Sequence, residues 1–128
     1  MEEQDRGATV LDKLEVEGPI QSALRYLTEK LYDPDLTPSA VASRAGLDLW
    51  QFCRKFKALT GMTCNEFIAE RRMREARRLL AREDLLIKEV AYRVGFDDSN
   101  YFSRRFKRVV GKSPTSYRKG GPARRPGD

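Results

Sequence analysis

The sequence contains no histidine, which removes the commonest general base and the usual nitrogen ligand of a metal ion. It has only two cysteines, Cys53 and Cys64, and both fall in helical patterns, which disfavours a disulfide-stapled secreted fold. The adjacent acids Asp97 and Asp98 stand just before a helical segment, where carboxylates cap helices far more often than they act as an acid–base pair. We therefore expect no enzyme, no catalytic residue, no cofactor and no metal site.

The chain also lacks a long apolar run. No stretch of about 18 consecutive apolar residues could span a membrane, and the start at Met1, Glu2 and Glu3 is unlike the basic-then-apolar order of a signal peptide. We expect a cytoplasmic protein with no membrane partner. Its 128 residues are about one ordinary domain.

Charge is distributed unevenly along the chain. The net charge is +6, but residues 1–18 carry six acids against two bases, so the rest of the chain carries +10. A helical body this basic suits a polyanionic partner such as nucleic acid, although solubility alone would explain a smaller excess. We interpret residues 1–18 as an acidic extension or the stump of a linker.

Apolar residues recur at the three-and-four spacing of helices from Pro19 to Tyr117, and no segment shows the sustained alternation of a strand. Capping residues such as Thr37, Asp48 and Asp98 open the helices, and glycines close them. The sequence predicts an all-α fold of about seven helices. It divides into a body at 19–119, made of subdomains at about 19–62 and 84–119 with a long linker helix at about 63–81, and a disordered basic tail at 120–128.

Two of these segments repeat each other. A short helix, a turn with glycine and a second helix occur twice, and such a unit is typical of a helix-turn-helix, whose second helix lies in the DNA major groove. The matching residues are Val41, Ala42, Arg44, Gly46 and Asp48 with Val90, Ala91, Arg93, Gly95 and Asp97, then Phe52, Arg54, Phe56, Lys57 and Gly61 with Phe102, Arg104, Phe106, Lys107 and Gly111.

Helical spacing assigns an inner and an outer face to each second helix. Arginine can bond guanine bidentately and asparagine can bond adenine, so Arg54, Arg104 and Asn100 are suited to base readout. Lys57 and Lys107 are candidate phosphate contacts, and Arg108 lies on the same outer side. The inward residues are expected to be Leu49, Phe52, Phe56 and Leu59 in the first copy, and Phe102, Phe106 and Val109 in the second.

Trp50 and Cys53 distinguish the first copy from the second. An exposed Trp50 can contact a thymine methyl or a sugar–phosphate edge, which we favour, or it can form a rim that covers the first helix. Cys53 can be a redox switch, but a small neutral residue facing the groove is the preferred interpretation. Asn100 and Ser103 stand at the matching places of the second copy.

The second copy resembles the signature of the AraC/XylS class of bacterial transcription regulators, and the resemblance runs from about Pro19 to Arg118. The residues that carry it include Gly95, Phe96, Asp98, Tyr101, Phe102, Ser103, Arg104, Phe106, Lys107, Gly111, Pro114 and Tyr117, together with Arg72, Ala76, Leu79 and Leu80 before them.

This resemblance implies a double helix-turn-helix whose two recognition helices enter successive major-groove segments of an asymmetric DNA site. Activation through RNA polymerase is also implied, as is either a stand-alone member of the MarA and SoxS kind or an excised C-terminal domain. The implied base-reading residues are Trp50, Gln51, Cys53 and Arg54 in one groove and Ser99, Asn100, Ser103 and Arg104 in the next.

We therefore expect a sequence-specific, nucleoid-associated transcription regulator that can bind double-stranded DNA as a monomer, and the resemblance implies that it is an activator. The alternative is a helical protein that binds nucleic acid without sequence preference, such as an architectural protein. A protein-interaction adaptor that never touches DNA is a third class, and the basic outer faces argue against it.

Overall fold

The computed structural model describes residues 18–120. This range contains helices and no strand, which confirms the expected all-α fold of about seven helices. The predictions for an acidic extension and a disordered tail fall, apart from Gly18 and Gly120, on residues 1–17 and 121–128, outside the described range. The helices are α1 (Pro19–Glu29), α2 (Pro38–Ala45), α3 (Leu49–Thr60), α4 (Cys64–Leu80), α5 (Ile87–Arg93), α6 (Ser99–Val110) and α7 (Pro114–Gly120).

Contacts between residues divide the chain into two compact units. The first holds α1, α2 and α3, and it comprises the described residues up to Lys30 and those from Leu36 to Cys64. The second comprises Leu31–Asp35 and the described residues from Asn65 onward, so it contains nearly all of α4 together with α5, α6 and α7. The interpretation of α4 as a separate linker helix stays a prediction.

In the first unit, local signals in the sequence set the helix ends. The Thr37 hydroxyl accepts a hydrogen bond from the Ala40 amide at 3.1 Å, and the Asp48 carboxylate accepts one from the Gln51 amide at 2.8 Å. Gly46 ends α2 with a φ of 75°, a conformation that glycine adopts without strain. Inside the unit the rings of Phe52 and Phe56 lie 5.5 Å apart and are fully buried.

The second unit repeats this plan. The Asp98 carboxylate accepts hydrogen bonds from the amides of Asn100 and Tyr101 at 2.9 and 3.2 Å, and so caps α6. The buried rings of Phe102 and Phe106 lie 5.7 Å apart. They belong to a core completed by Met73, Ala76, Leu79, Leu80, Leu85, Val90, Ala91, Val94 and Phe96.

Three apolar residues that were expected inside are exposed. Leu49 is 45% exposed, Leu59 is 59% exposed and Val109 is 41% exposed, so their assignment to the inner face was wrong. All three stand near an end of α3 or α6, helices of 12 residues that are each about 18 Å long. The helices α2 and α5 that pack against them have only eight and seven residues and are therefore shorter than the helices they contact.

Arg72 is the one charged residue of the described range that is buried, with 7% of its surface exposed. Its guanidinium donates hydrogen bonds to the carbonyls of Leu31 and Asp33 at 2.7 and 2.8 Å. The guanidinium also lies 5.4 Å from the centre of the Phe96 ring. Burial lowers the pKa of Arg72, while the charge of Asp33 acts in the opposite direction. The side chain thus holds the segment after α1 and the turn before α6 within one unit.

Gly95 leaves room for this guanidinium, and we predict that Gly95→Ala destabilises the protein more than Gly111→Ala. The two glycines share a φ of 103–104°, but a Cβ at Gly95 would lie 2.9 Å from Arg72, whereas one at Gly111 would meet nothing within 4 Å. Backbone strain costs each variant about 1–2 kcal/mol. Disturbing the hydrogen bonds of Arg72 should cost Gly95→Ala roughly 1.5–3 kcal/mol more. Urea unfolding measures the difference, and equal losses would contradict the role given to Arg72.

Candidate nucleic-acid interface

The buried pair Phe52 and Phe56 determines which side of α3 faces solvent. Trp50 is 65% exposed, and Gln51, Arg54 and Lys57 are exposed with it. The half-buried Cys53 lies at the edge of this face. The structure therefore brings the five candidate residues of the first unit onto one helix with their side chains accessible, and the exposure of Trp50 favours its interpretation as a contact residue.

The pair Phe102 and Phe106 has the same effect on α6. The exposed side chains include Asn100, Arg104 and the two phosphate candidates Lys107 and Arg108, while Ser99 and Ser103 are half-buried. All the candidates of the second unit thus lie on one helix. Their individual roles in reading bases or binding phosphates stay predictions.

Arg54 and Arg104 each lie against an aromatic ring of their own helix. The Arg54 guanidinium carbon is 4.6 Å from the centre of the Trp50 ring, and that of Arg104 is 5.8 Å from the centre of the Tyr101 ring. Both distances are in the range of cation–π contacts. Tyr101 was not among the candidate site residues expected from the sequence. Its position three residues before Arg104 was the available signal, because side chains at that spacing meet on a helix.

Neither recognition helix contains an acidic residue. Within residues 18–120, their cations form no salt bridge with a carboxylate, whereas cations of α4 do: Arg74 pairs with Glu70 at 3.1 Å and Arg78 pairs with Glu75. Unpaired cations concentrate positive potential on the outer faces of α3 and α6. The cations concerned are Arg54, Lys55 and Lys57 on α3, and Arg104, Arg105, Lys107 and Arg108 on α6.

The two thiols of the first unit differ in accessibility. Cys64, the first residue of α4, is 1% exposed, and burial, with a smaller effect of Cys53, raises its pKa to about 12. A thiol with so high a pKa has almost no reactive thiolate at neutral pH. Cys53 is partly open to solvent at the edge of the exposed face of α3. No group of three potential metal ligands occurs in the described part of the chain, and none of its helices is long and apolar enough to cross a membrane.

We predict that the folded protein takes up one equivalent of iodoacetamide at pH 7.5, on Cys53, and a second only in denaturant. Mass spectrometry of the alkylated chain measures both. Cys53→Ser is the matched control and should show no adduct when folded and one when unfolded. Rapid alkylation of Cys64 in the folded control would contradict the burial of that thiol.

Comparison with sequence families and curated proteins gives two findings. The family model described as "Helix-turn-helix domain" matches residues 41–120, a range that begins within α2 and runs to the end of α7. The HTH-type transcriptional activator RhaR of Enterobacter sp. (strain 638) is 37% identical over 101 residues, which cover 70% of this chain and 36% of RhaR. The chain therefore spans about a third of the length of this relative.

Two solved structures are similar in both fold and sequence. The C-terminal domain of AraT, a response regulator from Geobacillus stearothermophilus, has a TM-score of 0.76 and 31% identity, and the match covers 86% of this chain and 91% of that domain. The DNA-binding domain of the global transcriptional factor AdpA, solved in complex with a target DNA, has a TM-score of 0.74 and 32% identity. That match covers 87% of this chain and 99% of the AdpA domain.

Proposed function

The chain belongs to the AraC-type helix-turn-helix family, and from this premise we propose that it is a sequence-specific DNA-binding regulator of transcription. The observation that carries the proposal is the composition of the exposed faces of α3 and α6. Each face combines cations that have no carboxylate partner within residues 18–120 with side chains suited to reading base edges. The similar AdpA domain was solved on its target DNA, which supports the same use of this fold here.

In the proposed complex α3 and α6 each enter a segment of the major groove. Arg54 and Arg104 each donate two hydrogen bonds to the O6 and N7 of a guanine, and Asn100 bonds N6 and N7 of an adenine. Gln51 carries the same amide group as Asn100 and can likewise bond an adenine, and Trp50 packs against a thymine methyl. The small side chains of Cys53, Ser99 and Ser103 let each helix come close to the base edges. Phosphates are bound by Lys57, Lys107 and Arg108.

The two helices carry different readers, so we propose an asymmetric binding site. Trp50 and Cys53 stand where α6 has Asn100 and Ser103. A single-copy helix-turn-helix protein usually dimerises on a palindrome, but a chain with two unlike copies needs no partner to define a direction. We therefore propose that one copy of the chain binds its site as a monomer.

Activation is the regulatory outcome we propose, because the similar protein RhaR is named a transcriptional activator. RNA polymerase is then the second macromolecular partner, and the protein acts at the nucleoid without catalysing a reaction. The competing function is nucleic-acid binding without sequence preference, which the same unpaired cations could support.

One prediction separates sequence-specific regulation from binding without sequence preference. After selection of binding sites from a random DNA pool, we expect the protein to bind the selected duplex about a thousandfold more tightly than a shuffled duplex of the same composition. Competition mobility-shift assays at fixed ionic strength measure this ratio, since both modes weaken with salt. A ratio near one would exclude sequence-specific regulation and favour the non-specific alternative.

Another prediction concerns the roles assigned to the arginines and lysines of α3 and α6. Arg54→Ala and Arg104→Ala should each lose roughly 1–3 kcal/mol on the selected site and relax the preference at different base pairs. Lys57→Ala and Lys107→Ala are the matched controls from the same two helices, and they should weaken selected and shuffled DNA by a similar factor. If both arginine variants changed the same base pair, separate reading by α3 and α6 would be wrong.

A further inference from the structure

We propose that Tyr101 is a positioning residue for base reading, whose ring holds the Arg104 guanidinium to one side of α6 and thereby selects the base that Arg104 contacts. This inference rests on the proposed function and names a determinant of its specificity. No DNA contact of Tyr101 itself is required.

The ring of Tyr101 is held by a contact with a buried aromatic residue. The Phe96 ring lies 5.9 Å away at an angle of 49°, and it is itself contacted by the Phe102 ring at 5.4 Å. Arg72 lies 5.4 Å from the centre of Phe96 and is tied to two backbone carbonyls. The backbone of Tyr101 is also held, because its amide donates to the Asp98 cap. Tyr101 is therefore the outermost ring in a series of aromatic contacts that begins in the core.

The exposed part of the Tyr101 ring contacts the side chain of Arg104. Tyr101 is 45% exposed, and the Arg104 guanidinium carbon lies 5.8 Å from the centre of its ring. Within the described range Arg104 has no carboxylate partner that could hold it elsewhere. A long arginine side chain loses considerable rotamer freedom when it binds, so a ring that already restricts it favours one bound geometry.

The first unit holds its arginine in a different direction. There the ring belongs to Trp50, four residues before Arg54, while the place matching Tyr101 is taken by Gln51. At about 100° per residue, a side chain four positions back lies about 40° to one side of the arginine, and one three positions back lies about 60° to the other side. The two arginines occupy matching places in the repeat but lean to opposite sides of their helices.

The consequence is that the two reading arginines should not contact the same step of their respective half-sites. Arg54 is directed by Trp50 toward one neighbouring base pair and Arg104 is directed by Tyr101 toward the other. The identity of the aromatic position, three or four residues before the arginine, is then a specificity determinant.

The test measures base preference at every position of the selected duplex for Tyr101→Leu, Tyr101→Phe and the unaltered protein. The base pair read by Arg104 is the one at which Arg104→Ala loses its preference. Tyr101→Leu should lower the preference at that base pair, or move it to a neighbour, by about two- to fivefold, the range of an exposed cation–π contact at 1.4 kcal/mol per tenfold. Tyr101→Phe keeps the ring and should retain the original preference.

Trp50→Leu is the matched control in the other unit, and it should alter the base pairs assigned to Trp50 and Arg54 while leaving that of Arg104 unchanged. Affinity for shuffled DNA and the helical circular dichroism signal report on folding.

A uniform loss of base preference at all positions in Tyr101→Leu, or failure of Tyr101→Phe to retain the preference, would show a merely structural role and overturn the inference. An unchanged preference in Tyr101→Leu would overturn it while leaving the proposed function intact, whereas no preference in the unaltered protein would end both.

Discussion

The orientation of each recognition helix depends on one pair of buried aromatic rings spaced four residues apart. Phe52 with Phe56, and Phe102 with Phe106, are fully buried, and burying each such side chain is worth about 1.5–3 kcal/mol. Rotating either helix about its axis would expose both rings of its pair. The opposite face is thereby fixed toward solvent, and every candidate reader of DNA follows from that orientation.

Electrostatics then distinguishes the recognition helices from α4. Several cations of α4 pair with acids of their own helix, as Arg74 does with Glu70 and Arg78 does with Glu75. Such exposed pairs contribute little stability, but they remove positive potential. On α3 and α6 no acid is present, so the cations stay available to phosphates and bases. The distribution of acids along the sequence thus defines the interface as much as that of the bases does.

Most of the fold follows from local signals that a reader of the sequence can recognise, such as the caps Thr37, Asp48 and Asp98. The candidate readers follow as well, because the repeat and the helical period place them on one face. Helical periodicity could not show that Leu49, Leu59 and Val109 are exposed, since burial also depends on how far the neighbouring helix extends. The contacts of Arg72 with carbonyls some 40 residues earlier, and the series of aromatic contacts that leads to Tyr101, arise only after the chain has folded.

The central claim is that α3 and α6 read separate segments of DNA in a fixed order. A direct measurement attaches a DNA-cleaving reagent to a single thiol on either helix, at Lys57→Cys or Lys107→Cys in a Cys53→Ser background where Cys64 is buried. On one selected duplex, we expect two distinct clusters of cuts about one helical turn apart, always in the same order along the sequence. Cuts at the same place from both positions, or in both orders, would contradict the account.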